Sequence, residues 1–446
     1  MENLGKKITV IGAGYVGLVT SVCLAEMGNT VLCVEKSSAI LKKLNMGIVP
    51  IYEPDLAEML KKNIDEGRLF FTAKMDEGVK FSNIIFICVG TPESRVGKAD
   101  LFQVEVVARQ IAELMDDYKL IVEKSTVPVN THKLIKRTIK WHMRNDFDFN
   151  VASNPEFLRE GYAIYDFLNP DRIVIGVDSK RAENILRNLY IPLTGKGTEL
   201  LITKTAAAEM IKYASNSFLA IKISYINMLA DLCEKVDVDI DMVADGIGLD
   251  KRIGREFLNA GIGYGGSCIP KDVNAFIKMA ENYEVNFGIL KETEKINQDR
   301  RKKILDKLKE VLWVLNDKNI AIWGLAFKPD TDDIRDAPSI DIVKCLLKDG
   351  ASIKLYDPVA SDNFKKIFPE NYKINYNVDK YDALKNADSL LILTEWPEFI
   401  RADVSKIKEL MRLPIVIDGR NVYNSQIMEN EGIEYYSIGR KSVILK

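Results

Sequence analysis

Histidine is nearly absent from this chain of 446 residues, which has two, His132 and His142. A protein so poor in imidazole has to run acid–base chemistry on lysine, aspartate, glutamate or cysteine. Cysteine is sparse as well: Cys23, Cys33, Cys88, Cys233, Cys268 and Cys345 are scattered without a CxxC pair. All but Cys268 lie in apolar runs such as IIFICVG, so neither a disulfide framework nor a metal site is expected. No charge of one sign dominates, since 62 Lys and Arg face 64 Asp and Glu for a net −2. That leaves no basic field for DNA or RNA. No stretch approaches the ~20 apolar residues that span a bilayer, and MENLGKKITVIGAG enters structure without a signal-peptide pattern. The expected location is the cytoplasm, with no membrane partner.

What is present suits a globular protein: 47% of residues are hydrophobic and 28% charged, unlike disordered or fibrous chains. The length exceeds what one core serves, so two or three domains are expected. KKITVIGAGYVGLVTSVCLAEMGNTVLCVEKS reads as buried strand, glycine turn, amphipathic helix and second strand. Further strands at NIIFICVGTP, LIVEKSTVP, NVASNPEFL and RIVIGV extend this to an open α/β domain over 1–200. From Thr205 to Val236 the pattern is helical without internal Gly or Pro, long enough to bridge two cores and to offer a face to a second copy. With KDVNAFIKMAENYEV and INQDRRKKILDKLKEVLW it makes a helical middle, 201–315. Strand and helix alternate again from KNIAIWGLAFKPDTDD through SIDIVKCLLKDG, ASIKLYDP, SLLILTEW and PIVIDGR. The expected fold is α/β: two Rossmann-like domains joined by a central helical domain with one long helix. The second fills 316–446, with FKPDTDDIRDAP as a loop at its ligand edge.

Gly12, Gly14 and Gly17 form GxGxxG between an apolar strand and a helix. The first lets the chain turn, the second lets backbone approach a pyrophosphate, and the third lets helix pack on strand. Glu35 ends the second strand about twenty residues on, where an acid holds the adenosine ribose diol. It also repels a 2′-phosphate, which favours NAD over NADP, although Lys36 beside it tempers the preference. The plain alternative is a glycine turn in an α/β domain that binds no dinucleotide.

Lys212 and Asn216 are four apart on the long helix and share a face. Alone they read as a solvated lysine and a surface amide. They gain meaning beside polar groups in strand-end loops, Thr126 in STVP and Glu156 and Glu160 in NPEFLREG, and beside Asp272. In GYGGSCIPKD, Pro270 suits the first position of a helix and puts Cys268 just ahead of its N-terminus. There the helix dipole, with Lys271 or Lys212 close by, would bring a thiol below the ~8.5 of free cysteine. Gly263, Gly265 and Gly266 would clear space around the sulfur. A small core thiol is the competing reading, and local sequence leaves both open.

An NAD fold and a nucleophilic thiol together serve one chemistry well. Oxidising an alcohol to an aldehyde takes one hydride, and oxidising onward requires a nucleophile to add first. A thiolate gives a thiohemiacetal, then a thioester, and water releases the acid. This predicts a four-electron oxidation of a primary alcohol with two NAD reduced.

Over nearly its whole length the chain resembles the UDP-glucose and GDP-mannose dehydrogenase family. The motifs run in order as GAGYVGL, VGTP, STVP, SNPEFLREGYAIYDFLNPDRIVIG, AEMIKYASN, DKRIG, FLNAGIGYGGSCIPKD, GLAFKPDTDDIRDAPS and IDGR. DFLNPDRIVIG and GYGGSC resemble the UDP-glucose branch more than the N-acetylhexosamine branch. The resemblance implies oxidation of UDP-glucose at C6 to UDP-glucuronate. It implies Cys268 as nucleophile, Lys212 as alkoxide stabiliser or base, and Asn216 as its oxyanion partner. Asp272 and Thr126 match residues that hold the catalytic water or assist the first oxidation, and Glu156 matches the acid tied to thioester hydrolysis.

For the nucleotide sugar the resemblance implies Glu156, Phe157, Leu158, Arg159 and Glu160, then Lys212, then Phe257, Leu258, Asn259, Ala260 and Gly261 with Gly265. Lys328 and Arg420 match contacts from the C-terminal domain. Arg252 matches an arginine that reaches the partner's sugar, which implies a homodimer through the long helix. The cofactor side matches at Gly12, Gly14, Tyr15, Val16, Gly17, Glu35, Thr91, Thr126, Glu160, Lys271 and Arg335. The chain departs from the family at Ser37 and Ile40, where a second acid and a lysine are usual. It also has Asn130 in STVPVNT and Asp55 in YEPDL where glycine is common. Three other readings fit less of the chain. A GDP-mannose or UDP-N-acetylhexosamine 6-dehydrogenase shares the mechanism, a single-hydride β-hydroxyacid dehydrogenase needs no thiol, and a non-catalytic nucleotide-sugar sensor needs none of the polar set.

Overall fold

A computed structural model describes residues 5–94 and 97–445. The chain divides into two compact units. One runs up to Ser215 and takes in Asn274–Met279; the other holds Asn216–Val273 and the chain from Ala280 on.

The first unit is built on an eight-stranded sheet. Its strands are β1 (Lys7–Ile11), β2 (Thr30–Val34), β3 (Leu69–Thr72), β4 (Ile84–Ile87), β5 (Lys119–Glu123), β6 (Phe149–Ser153), β7 (Arg172–Gly176) and β8 (Glu199–Thr203). They lie in the order β3-β2-β1-β4-β5-β6-β7-β8. All pairs are parallel except β6 with β7, which meet antiparallel at the single pair Ser153 and Gly176. Central strands such as IIFI of β4 and KLIVE of β5 are buried throughout, as a sheet covered on both faces requires. One core packs Leu18, Val22 and Leu24 of the helix Tyr15–Glu26 against Ile8, Val10 and Phe86. The other packs Val104, Val107 and Ile111 against Ile85, Ile87 and Ile121.

The second unit carries a six-stranded, all-parallel sheet: β9 (Asn319–Trp323), β10 (Ser352–Tyr356), β11 (Ile374–Tyr376), β12 (Ser389–Ile392), β13 (Ile415–Asp418) and β14 (Glu434–Tyr436). The order is β11-β10-β9-β12-β13-β14. Between the two sheets in sequence come helices at Thr205–Val236, Ile240–Gly248, Ile269–Asn282 and Gly288–Leu312. Ile226, Ala230 and Cys233 of the longest of these join Ile240, Ala244, Ile304 and Leu308 in one core with Ile320 and Ile322 of β9.

The expected class holds: two sheets of parallel strands, the first with one antiparallel pair, and between them in sequence a helical region with one long helix. Four strands had no counterpart in the sequence reading, namely β3, β8, β11 and β14, and all four are sheet edges. An edge strand is half solvated and lacks the continuous apolar run that betrays a central one; ELLIT of β8 contains no fully buried residue. Two further details differ. The helix after the thiol begins at Ile269, so Pro270 is its second residue rather than its first. Cys345 is only half-buried because the helix Pro338–Lys348 turns it toward the edge of its core. Cys23, Cys33, Cys88 and Cys233 are buried, and burial pushes the Cys33 thiol up to about 12.

Candidate active site

The glycine turn follows β1. Gly12 adopts φ +101°, and a Cβ there would meet the Cys88 carbonyl oxygen at 2.8 Å. A Cβ on Gly17 would come within 1.9 Å of the Gly12 oxygen. Gly14, by contrast, faces open space and precedes the helix Tyr15–Glu26, whose first N–H groups receive no side-chain cap. Backbone donors at a helix N-terminus beside a clearance suit a pyrophosphate. Glu35, just past β2, accepts from Ala13 N at 2.9 Å and Ser37 N at 2.7 Å, and a carboxylate has about four lone-pair sites, so acceptor capacity remains for a diol. A cavity of about 240 Å³ beside the turn is lined by Ala13, Gly14, Ala39, Ile40, Lys43, Pro50 and Ile51. The residues present therefore fit a dinucleotide. Ile40 makes one wall apolar and Lys43, one turn on, brings a cation to it; Ser37 caps the helix Ser38–Asn45.

The loops beyond β5 and β6 carry the polar set of the first unit. Thr91 Oγ1 donates to Thr126 O at 2.8 Å, and Ser125 Oγ donates to Val89 O at 2.8 Å, so VGTP and STVP are tied together. Lys212 Nζ lies 3.0 Å from Glu156 Oε1, with both side chains buried, and 5.5 Å above the Phe157 ring. Glu156 Oε2 accepts from Leu158 N at 2.6 Å. Burial works against this carboxylate, yet Lys212, the Leu158 N–H and Lys124 together hold it below the usual carboxylate range. Lys124, itself buried, is lowered by desolvation and donates to the Asn154 side chain at 3.2 Å. Arg159 forms a bidentate pair with Asp166, and Glu160 is buried.

Glu53 organises the far end of this loop. It accepts from Gly161 N at 2.6 Å and Ala163 N at 2.7 Å, and also from Tyr15 Oη. One carboxylate thus ties the glycine-turn helix to the segment 156–163. Asp55, two residues on, adopts φ +63°, a backbone conformation that glycine takes without strain.

In the second unit Asn216 Nδ2 donates to Asp272 Oδ2 at 2.7 Å, both buried, and Lys271 Nζ lies 3.0 Å from Asp272 Oδ1. Cys268 is the N-cap of the helix Ile269–Asn282, partly exposed, with Ser267 Oγ at 3.5 Å from its sulfur. Asp272 N donates to Cys268 O at 2.9 Å, the first turn of that helix. The glycines ahead of the thiol prove to be close approaches rather than an open clearing. A Cβ on Gly265 would meet Asp336 O at 2.5 Å, and one on Gly266 the Phe327 ring at 2.7 Å. Gly261 N donates to Asn227 Oδ1 at 2.9 Å. Tyr264 and Asn297 pair twice, Tyr264 N donating at 2.8 Å and its carbonyl accepting at 3.1 Å.

Arg420 donates to the carbonyls of Leu393, Gly263 and Phe327, each at 3.0 Å, and lies 3.2 Å from Glu395. It clamps the glycine loop onto the sheet edge. Arg335 is paired with Asp333 and Arg252 with Asp250, each bidentate and exposed. Lys328 lies 5.8 Å over the Phe327 ring. Leu258 and Ala260 are buried in the helical core, and Phe257 adopts φ +64°; Asn259 accepts from Arg255 at 2.7 Å. Within each unit the structure brings together Lys212 with Glu156, Thr126 with Thr91, and Asn216 with Asp272. The sequence reading missed Glu53, Asn227, Asn297 and the acid Glu209. Only Glu209 carried a signal, as a buried charge in the apolar run TAAAEMIKY.

Three family models match in order: the NAD binding domain of the UDP-glucose/GDP-mannose dehydrogenase family over residues 6–194, its central domain over 206–299 and its UDP binding domain over 321–425. The UDP-glucose 6-dehydrogenase TuaD of Bacillus subtilis is 45% identical over 438 residues, covering 98% of this chain and 94% of the relative. The chain belongs to the UDP-glucose/GDP-mannose dehydrogenase family. Its likeness to the UDP-glucose 6-dehydrogenase of Pseudomonas aeruginosa is 43% over 97% of each chain. Among solved structures, a UDP-glucose dehydrogenase of Pyrobaculum islandicum superposes with a TM-score of 0.90 at 36% identity, covering 98% of both chains. A UDP-D-ManNAc dehydrogenase of Pyrococcus horikoshii gives 0.86 at 29%, covering 98% and 100%. In this family the first unit's glycine turn belongs to an NAD-binding domain. Among the described residues no helix is long and apolar enough to cross a membrane.

Proposed function

We propose that this chain is an NAD-dependent UDP-glucose 6-dehydrogenase, converting the C6 alcohol of UDP-glucose to the carboxylate of UDP-glucuronate. The observation that carries the reading is the 45% identity to UDP-glucose 6-dehydrogenases along 98% of the chain. The buried pairs Lys212–Glu156 and Asn216–Asp272 support it. NAD, when bound, accepts the hydride in each of the two oxidations.

The chain's own residues do the rest. Gly12, Gly14, Gly17 and the following helix cradle the pyrophosphate, with Tyr15 and Val16 in its first turn, and Glu35 takes the ribose diol. Thr91, Thr126, Glu160, Lys271 and Arg335 complete the cofactor contacts. The alcohol gives up its proton to the water held by Asp272 and Thr126, and the Lys212 ammonium and Asn216 amide stabilise the negative charge on O6, then and again in the tetrahedral adducts. Cys268 adds its sulfur to the aldehyde carbon, forming a C–S bond; the resulting thiohemiacetal is oxidised to a thioester. Water, held by Asp272 and Thr126, loses a proton toward Glu156, attacks the thioester and breaks the C–S bond. Phe157, Leu158, Arg159, the segment 257–261, Gly265, Lys328 and Arg420 hold the nucleotide sugar.

The same proposal divides the chain into 1–200, 201–315 and 316–446 and places it in the cytoplasm, where NAD and nucleotide sugars meet. It also includes a homodimer. Phe218, Tyr225, Met228, Leu232 and Val236 are exposed at helical spacing on one helix, a stripe of the kind that marks an interface, and Arg252 is free of the core to reach a second copy. The test is the yield of NADH per UDP-glucose consumed. Two per sugar, with little turnover of GDP-mannose or UDP-N-acetylhexosamines, is expected; one per sugar, or no turnover of UDP-glucose, would reject the assignment.

A further inference from the structure

Two acids lie buried together in the first unit, and neither has a part in the chemistry above. Glu209 sits on the long helix three residues before Lys212, so the two side chains are neighbours on one face. Its carboxyl accepts from Asn130 N at 2.6 Å and from His132 N at 2.9 Å, and lies 3.0 Å from His132 Nδ1. Asn130 is the N-cap of the helix Thr131–His142, it adopts φ +76°, and its own side chain makes no capping bond. Glu209 therefore supplies from another helix the cap that this one lacks. Four residues before Asn130 lies Thr126, in the loop that Pro128 and Thr131 close through the bond from Thr131 Oγ1 to Pro128 O at 2.6 Å.

The second acid, Glu123, ends β5 and is fully buried, and neither of its oxygens has a hydrogen-bond partner among the described residues. Burial disfavours the charged form of a carboxyl unless donors hold it. Two backbone N–H donors and the His132 ring nitrogen meet Glu209, whereas only Ser125 draws the Glu123 carboxyl back down, so the charge is assigned to Glu209 and the proton to Glu123. Burial and then Glu209 push the Glu123 carboxyl well up; burial also raises Glu209, against the opposing hydrogen bonds from His132 and Asn130.

We infer that Glu209, as a buried carboxylate, is a positioning residue that locks the Thr126 loop to the helix bearing Lys212, and that Glu123 is its neutral neighbour. This rests on the roles proposed for Thr126 and Lys212. In Glu209→Gln the amide NH2 faces a backbone N–H, one bond is lost, and the loop and helix lose their register. In Glu123→Gln a neutral amide replaces a neutral acid.

The full-length wild type and both variants are compared for kcat and KM with UDP-glucose and NAD, for thermal midpoint, and for amide exchange of residues 127–135. Expected is a fall in kcat of about tenfold or more in Glu209→Gln with KM for UDP-glucose within about twofold, measured well below the melting range, since small misplacements act on the transition state. Exchange at 127–135 quickens in the same variant, while Glu123→Gln stays within about twofold of wild type in kcat. Equal kcat in wild type and Glu209→Gln, unchanged exchange, or an equal loss in Glu123→Gln would overturn the inference. If Glu209→Gln does not fold, His132→Ala keeps both backbone donors and must lower kcat by about threefold at unchanged KM; no change overturns it. A wild type that fails to oxidise UDP-glucose rejects the proposed function instead, and the exchange experiment still tests the cap.

Discussion

The two sheets of this protein repeat one another down to single hydrogen bonds. Gly12 at φ +101° and Gly324 at φ +94° follow the first strand of each. Gly12 N donates to Val34 O at 2.8 Å and Gly324 N to Tyr356 O at 2.9 Å. Each glycine abuts the chain leaving the fourth strand, Cys88 in one case and Thr394 in the other. Each sheet also has an acid just past its second strand. Glu35 accepts two backbone N–H bonds. Asp357 accepts from Leu325, Ala326, Val359 and Ala360 N and from the Trp396 indole, five donors on a side chain one carbon shorter. The same topology thus yields an acid with capacity for a ligand in one sheet and a saturated structural acid in the other. Position alone does not make a binding residue; the number of donors already satisfied decides.

The largest expected effect separates the units by chemistry. Cys268→Ala should lower UDP-glucuronate formation by about 10³-fold or more, while NAD titration, which does not need the thiol, stays as in wild type. Substantial acid formation without the thiol would remove the nucleophile from the scheme. Next, the two acids should part company. Glu35→Ala should raise KM for NAD by about tenfold with little change in melting temperature. Asp357→Ala should instead destabilise by about 3 kcal/mol, because buried N–H groups lose their acceptor, and leave KM for NAD alone. An exchange of these phenotypes would break the comparison. The smallest effect concerns backbone strain. Asp55→Gly should stabilise the protein by a few tenths to about 1 kcal/mol in chemical denaturation, because glycine adopts positive φ without strain. A clear loss of stability would show that the aspartate side chain contributes there.

Much of this was legible from sequence because it is local. The long helix runs Thr205–Val236, the bounds its Gly- and Pro-free apolar pattern gave. The glycine turn, Glu35 and the Lys212/Asn216 spacing also follow from short-range rules. Asn130 and Asp55 both fall at positive φ, where Asn and Asp are the non-glycine residues most often found. Glu209 and Glu53 were not legible as caps. Their backbone partners lie 77 to 110 residues away along the chain, and no periodicity encodes which distant carboxylate meets an uncapped helix. The clamp made by Arg420 was equally out of reach, because the backbone carbonyls its N–H groups hold, those of Leu393, Gly263 and Phe327, lie far apart in sequence.

The single antiparallel pair between Ser153 and Gly176 has a mechanical meaning. Five pairs join β5 to β6 and five join β7 to β8, so the sheet has a weak line across it, reinforced by the Asn154 side chain donating to Val174 O at 2.9 Å. Segments held by few bonds open at lower free energy than their surroundings. The segment 154–163 issues from the strand on one side of that line. Under load or heat the sheet should part there first, and the loop carrying Glu156 is hung on the hinge of its own scaffold.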